Sequence, residues 1–267
     1  MPTFLNTTFA TYFKRLFQVE QASNTGVDST TRNVQTGDGV NTSIAISDDV
    51  LSVQPQNDNT TGTFLVKNQG GSNILVADTS NSKVLVGATQ LAANTQYAYF
   101  GMGYSGFSST IANTHYPLIF NGHYISSGSS DVDFGTGTDP DDTFTTANTD
   151  TQYAAQIVPM LWRIPDNITI DEVKHFEGAD AATGDTTRMH LKSFDFTSGS
   201  TSCLTNGALV AHSSADVTND GNEQAYLQGW AIDTADVDAG KVILCFFRSD
   251  SINSDFSINV TVKYHVR

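Results

Sequence analysis

The chain has 267 residues, 39% hydrophobic and 10% aromatic, enough for one large all-β domain or two modest units. Only 15% are charged, and 28 Asp and Glu against 13 Lys and Arg leave a net charge of −15, which repels phosphate backbones and argues against a nucleic-acid partner. The Thr, Ser, Asn, Gly and Asp that fill the remainder favour strands and turns over helices, and no apolar run approaches the ~20 residues of a membrane-spanning helix, so membrane insertion is not expected.

Residues 1 to about 20 form the one segment with helical periodicity. Phe9, Tyr12, Phe13, Leu16 and Phe17 recur at three- and four-residue spacing and share a face, with Leu5 as a further member. Thr7 or Thr8 is placed to cap the start, and Lys14 and Arg15 fall on the other side. Such a face needs a cover: its own domain, sister helices in an oligomer, or a docking partner. No basic stretch followed by an apolar run and a small-residue cleavage site opens the chain, so export by a secretory leader is not expected. A polar Gly/Thr/Asp-rich connector follows at 21–39.

Residues 40–88 read as short strands separated by tight turns. The run 43–53 (SIAISDDVLSV) turns at Asp48-Asp49. In 62–88 (GTFLVKNQGGSNILVADTSNSKVLVGA), Phe64 and Val66 precede a Gly70-Gly71 turn, Ile74 and Val76 follow it, and Val84 and Val86 follow the turn at 79–82. Strands of three to five residues cannot bury a core alone. Phe64, Val66, Ile74, Val76, Val84 and Val86 are therefore the expected oligomerisation residues. Residues 89–96 read as a second connector.

From residue 97 the strands lengthen. Strands are expected at 97–104, 115–125, 153–164, 168–176, 187–196, 208–212, 225–232, 242–249 and 256–266, with 126–151 an exposed loop. In the last strand Ile258, Val260, Val262, Tyr264 and Val266 alternate with polar residues, the mark of a half-buried antiparallel strand. VILCFF at 242–247 is apolar on both faces and should lie centrally. Met189 and Leu191 are out of phase with Phe194 and Phe196, which suggests a bulge near Ser193. Eight or so strands at this spacing indicate a β-sandwich of the jelly-roll type. The expected organisation is a 1–24 attachment segment, a 25–96 β-repeat shaft and a 97–267 display domain.

Chemistry-bearing patterns are sparse. The histidines at 115, 123, 175, 190, 212 and 265 lack metal-helix spacing and read as surface or rim residues. Gly103-Tyr104-Ser105-Gly106 ends in Phe107 where a nucleophile elbow needs glycine. Asp131, Asp133, Asp139, Asp141 and Asp142, then Asp216, Asp220 and Glu223, then Asp233, Asp236 and Asp238 offer oxygen ligands on loops. Asp139, Asp141 and Asp220 are the weak Ca²⁺ candidates, with solvated turn carboxylates the simpler reading. No carboxylate pair is fixed at a glycosidase separation, so neither an enzyme nor a cofactor is expected. Tyr97, Tyr99, Phe100, Tyr104, Phe107 and Tyr116 cluster; exposed aromatics stack on sugars or anchor partners, while packing into the sandwich or an oligomer seam is the plainer expectation. Cys203 and Cys245 sit in apolar surroundings and read as buried free thiols, suited to folding in a reducing cytosol.

On Gly62, Phe64, Val66, Gly71, Ile74, Val76, Val84, Val86 and Gly87, the segment 62–88 resembles the repeats of bacteriophage fibre and related virion proteins. The region from Gln156 (QIVPMLWRIPDNITIDEVK, AGKVILCFF, INVTVKYHV) is similar to jelly-roll domains of marine tailed-phage structural proteins, and FATYFKRLFQV to a virion-docking terminus. The resemblance implies a virion component assembled in the host cytoplasm, commonly a homotrimer. Its N-terminus would be held by other virion proteins of tail or capsid, and its sandwich would be displayed for attachment to a host surface glycan or protein. A capsid decoration, cement or head-fibre protein is the alternative, and a virion-associated glycan hydrolase a remote one.

Overall fold

The computed structural model describes residues 16–20, 26–87, 91–106, 112–122, 132–145, 154–180, 186–213, 217–218, 224–250 and 255–267. The chain divides into two compact units, Met1–Ala93 and Asn94–Arg267. Both are built of strands.

The first unit holds two four-stranded antiparallel meanders. One runs β1 (Phe17–Val19), β2 (Arg32–Thr36), β3 (Asn41–Ile46) and β4 (Leu51–Val53). The other runs β5 (Phe64–Lys67), β6 (Asn73–Asp78), β7 (Lys83–Val86) and β8 (Leu91–Ala92). The turns follow the sequence. Ser47 N–H donates to the Val50 carbonyl around Asp48-Asp49, and Gly71, at φ +86°, closes on the Asn68 carbonyl. The Asp78 carboxylate accepts from Asn81 N–H at 3.0 Å and its side-chain amide at 2.8 Å, closing the 79–82 turn.

The expected N-terminal helix needs correction at its end. Phe17 pairs with Thr36, Gln18 with Gln35 and Val19 with Val34, so residues 17–19 are an edge strand and Leu16 precedes it without helical structure. Pairing with β2 supplies the backbone partners that a last helical turn would have lacked. Phe9, Tyr12 and Phe13 lie outside the described residues. The connector expected at 89–96 contributes β8 and the start of the next strand.

The second unit is a β-sandwich. Its eight principal strands are β9 (Thr95–Gly106), β10 (Tyr116–Pro117), β13 (Ile168–Asp180), β14 (Thr186–Phe196), β15 (Leu204–Ser213), β17 (Gln224–Ile232), β19 (Val242–Ser249) and β20 (Asp255–Val266). Short pieces β11 (Ile119–Phe120), β12 (Trp162–Arg163), β16 (Val217–Thr218) and β18 (Asp236–Val237) extend them. One sheet has the order β9-β20-β13-β17 and the other β10-β19-β14-β15. Counted among the eight, these are strands 1-8-3-6 and 2-7-4-5, the double Greek key of a jelly roll. The sheets also join along one side, where Ala211 to Ser213 pair with Ile232 to Trp230.

Between the sheets lies the main core, including Phe100, Met102, Val173, Met189, Leu191, Cys245, Phe247, Val260 and Val262. A second core covers the outer face of the β14–β19 sheet. There Phe194, Val242, Leu244 and Phe246 pack against Val132, Phe134, Phe144, Ile157 and Met160. This is why VILCFF is apolar throughout: β19 lies between β14 and the short strands β10 and β12, and both of its faces are buried. Cys245 and Cys203 are buried free thiols, and burial raises the pKa of both.

Several expectations change. Phe194 needs no bulge, because β14 runs in unbroken register against β19 from Thr187 to Phe194 and Phe194 serves the second core. The shifts near Ser193 belong to the β15 side, where Asn206 has φ +52°. The single strand expected at 115–125 is two short pairings, Tyr116–Pro117 on β19 and Ile119–Phe120 on β9, because the chain passes from one sheet to the other at Leu118. Residues 154–160 form a helical turn, α1 (Ala154–Ile157), and a 3₁₀ turn around Pro159 rather than a strand. In the supposed loop 126–151, the described part 132–145 is a strap that buries Val132, Phe134, Pro140 and Phe144 between exposed polar residues.

Candidate functional site

The two sheets of the sandwich differ on their outer faces: the strap covers one, while much of the other is open. On the open face, side chains alternate along β13, with Val173, His175 and Glu177 inward and Glu172, Lys174 and Phe176 outward. Register extends the outward set across the sheet. Leu227, Phe176 and Asn259 form one row, Gly229, Lys174, Thr261 and Tyr99 a second, and Glu172, Lys263 and Tyr97 a third. Phe176 is 59% exposed, Leu227 61%, Tyr97 50% and Tyr99 43%. Tyr97, Glu172, Lys174, Phe176, Leu227, Thr261 and Lys263 line a shallow depression of about 250 Å³. Gly229 leaves open space where a side chain would stand, which keeps the floor low beside Lys174.

Beneath this face lies a sealed polar layer. Trp230 Nε1–H donates to His175 Nδ1 at 2.7 Å, and the Thr187 hydroxyl donates to Glu177 Oε2 at 2.8 Å. His175 Nε2 lies 3.5 Å from that same carboxylate oxygen, with both side chains 1% exposed. With Nδ1 accepting from Trp230, Nε2 is the ring nitrogen that faces the carboxylate. The layer ties β13 to β17 and β14.

The strap is fixed through polar groups as well as through its phenylalanines. His115 Nε2–H donates to the Gly137 carbonyl at 3.0 Å, and Lys192 donates to the Pro140 carbonyl and, at 2.5 Å, to Asp142. The His115 and His190 rings meet edge to face at 4.9 Å. Burial pulls His115 down to about 4 and His190, further depressed by its neighbour His115, to about 2. Both rings are therefore neutral at pH 7.

The expectation of surface or rim histidines is corrected for three of the six. His115, His175 and His190 are buried, because their strand positions point inward or under the strap. His212 and His265 pair with Asp233 at 2.7 Å and Asp171 at 3.0 Å, and His123 lies outside the described residues.

Asp139 and Asp141 sit on the exposed tip of the strap, Asp139 at 3.4 Å from His190 Nε2; Asp220 lies outside the described residues. Asp236 and Asp238 are both engaged by Arg267. Among the described residues no group of three His, Cys, Asp or Glu is arranged to hold a metal ion. Of the aromatic cluster at 97–116, Phe100 and Tyr116 are buried, Tyr97 and Tyr99 face out, and the side chains of Tyr104 and Phe107 are not among those described.

The first unit presents a different surface. Phe64, Val66, Val84 and Val86 share one face of the second meander, with Leu75 and Ala77; Leu65, Ile74, Val76 and Leu85 share the other. The six expected oligomerisation residues are thus split between two faces. Five are 38–48% exposed, and Val76 alone, at 3%, is buried. In the first meander Phe17, Val40, Ile44, Val50 and Leu51 are exposed. Neither hydrophobic core contains a residue of this unit.

No family model matches this chain, and no curated protein matches it.

Proposed function

We propose that this chain is a structural component of a phage virion, a homo-oligomeric and most simply trimeric fibre-type protein. Its short N-terminal unit would assemble with other copies, and its β-sandwich would be displayed for attachment to a host surface. The observation that carries the reading is the pairing of a fully cored sandwich with a repeat unit whose sheets expose aliphatic and aromatic side chains on both faces. Short-stranded sheets that carry apolar side chains on both faces call for a cover, and copies of the same strands are the simplest one. The 62–88 repeat, which resembles fibre shafts, supports the same direction, as does the acidic surface that keeps unassembled copies soluble.

A capsid decoration or cement role is favoured by one feature, the brevity of the repeat unit. Eight strands of two to six residues provide little reach. Copy number in purified particles separates the two. A few copies that leave with the tail support the fibre, hundreds retained on tailless heads support the cement, and absence from particles removes the virion reading.

A further inference from the structure

We infer that the open outer face of the β9-β20-β13-β17 sheet is a binding site for an acidic saccharide, held against Tyr97 and Phe176 with its carboxylate on Lys263. This deepens the attachment reading and rests on it only for where the sugar comes from. Sugars present flat C–H faces, and those faces settle on exposed rings that ride on a rigid support. Here the support is a four-stranded sheet, locked beneath by the His175–Trp230 and Thr187–Glu177 hydrogen bonds. Rings stand at its margins, and Thr261 and Gly229 leave the floor between them low. A depression of about 250 Å³ lies at the small end of ligand sites, the scale of a sugar unit or two rather than a protein epitope.

Charge selects the class of sugar. The molecule carries −15, yet the charged side chains lining this depression are Lys174, Lys263 and Glu172. Lys174 is paired with Glu172, while Lys263 has no ion pair among the described residues. A lysine ammonium beside a tyrosine, in a depression whose charged side chains are two lysines and one glutamate, matches a compact carboxylate better than a neutral sugar. A long polyanion is disfavoured, because it would run onto the acidic remainder.

The test uses the full-length chain with trigalacturonic acid as the acidic probe and maltotriose as the neutral one, read by saturation-transfer NMR and calorimetry. Saturable binding of trigalacturonic acid at millimolar or tighter affinity is expected, with maltotriose weaker by about tenfold or more. Tyr97→Ala and Lys263→Ala should each weaken binding by about tenfold without moving the thermal midpoint, since both side chains are at the surface. Equal binding of both sugars, no saturable binding, or binding indifferent to Lys263→Ala would overturn the proposal. So would protection of Lys263 from acetylation in the sugar-free oligomer, which would make this face an interface between copies. Binding by a protein absent from particles would leave the site standing and remove the virion reading; presence in particles without binding would do the reverse.

Discussion

The two units spend the same kinds of side chain in opposite ways. In the sandwich every residue from Val242 to Phe247 is buried, and the strand is covered from both sides. In the second meander of the first unit, Phe64, Val66, Ile74, Val84 and Val86 are all between 38% and 48% exposed. Both segments are rich in Val, Leu, Ile and Phe. What differs is whether the chain itself supplies a second layer. The sandwich has two sheets and a strap, whereas among the described residues each meander leaves apolar side chains exposed on its faces. An apolar strand pattern therefore reports that a cover is required, and for the first unit we propose that other copies of the chain supply it.

The largest expected effect is in the sandwich. Phe246 is fully buried in the second core and stacks edge-on to Phe134 at 4.7 Å. Phe246→Ala should cost about 3–5 kcal/mol in denaturant unfolding of the second unit. The smallest change that would break the comparison is a near-zero cost there.

Acid should come next. His115 and His190 are held neutral in the fold, with pKa values lowered to about 4 and about 2, below the ordinary value of 6.5. The unfolded chain takes up these protons first, so their contribution is fully present above pH 6.5 and declines as pH falls. For His115 the loss ends near pH 4, and for His190 it continues toward 2. Each contributes a slope of about 1.4 kcal/mol per pH unit within its window. Denaturant melts at pH 7, 5.5 and 4.5 should show the decline in the sandwich, and His190→Gln should reduce its slope by about half.

A third change acts on assembly. Val84→Asp places a charge on the exposed face shared with Phe64, Val66 and Val86. It should lower the oligomeric state in sedimentation while leaving the sandwich midpoint unmoved. A sandwich destabilised to the same degree would mean that the first unit is not acting through other copies. The smallest effect belongs to the open face: Phe176→Ala, at 59% exposure, should alter stability by less than about 0.5 kcal/mol.

Much of the fold was legible because alternation and unbroken apolar runs report burial directly. The 256–266 strand alternates as read, β19 is central as its two apolar faces required, and the Gly70-Gly71 and Asp48-Asp49 turns close hairpins. The strap was hidden, because Phe134 and Phe144 stand alone in a Gly/Asp/Thr background and belong to no periodic element. The helical turn at 154–160 is too short to show a period. Burial of His115 and His190 depends on where that strap lies, which local sequence does not encode. The outer platform was half visible. Tyr97 and Tyr99 stood out, but their company with Phe176 and Leu227 follows from the strand order β9-β20-β13-β17, which is set by long-range pairing.

The central claim is that the first unit is completed by other copies of the chain. Sedimentation of the full-length protein, with amide exchange followed over residues 40–88, tests it most directly. The account predicts an oligomer whose 40–88 amides are protected and lose protection when dilution dissociates it. A monomer with those amides still protected would contradict it.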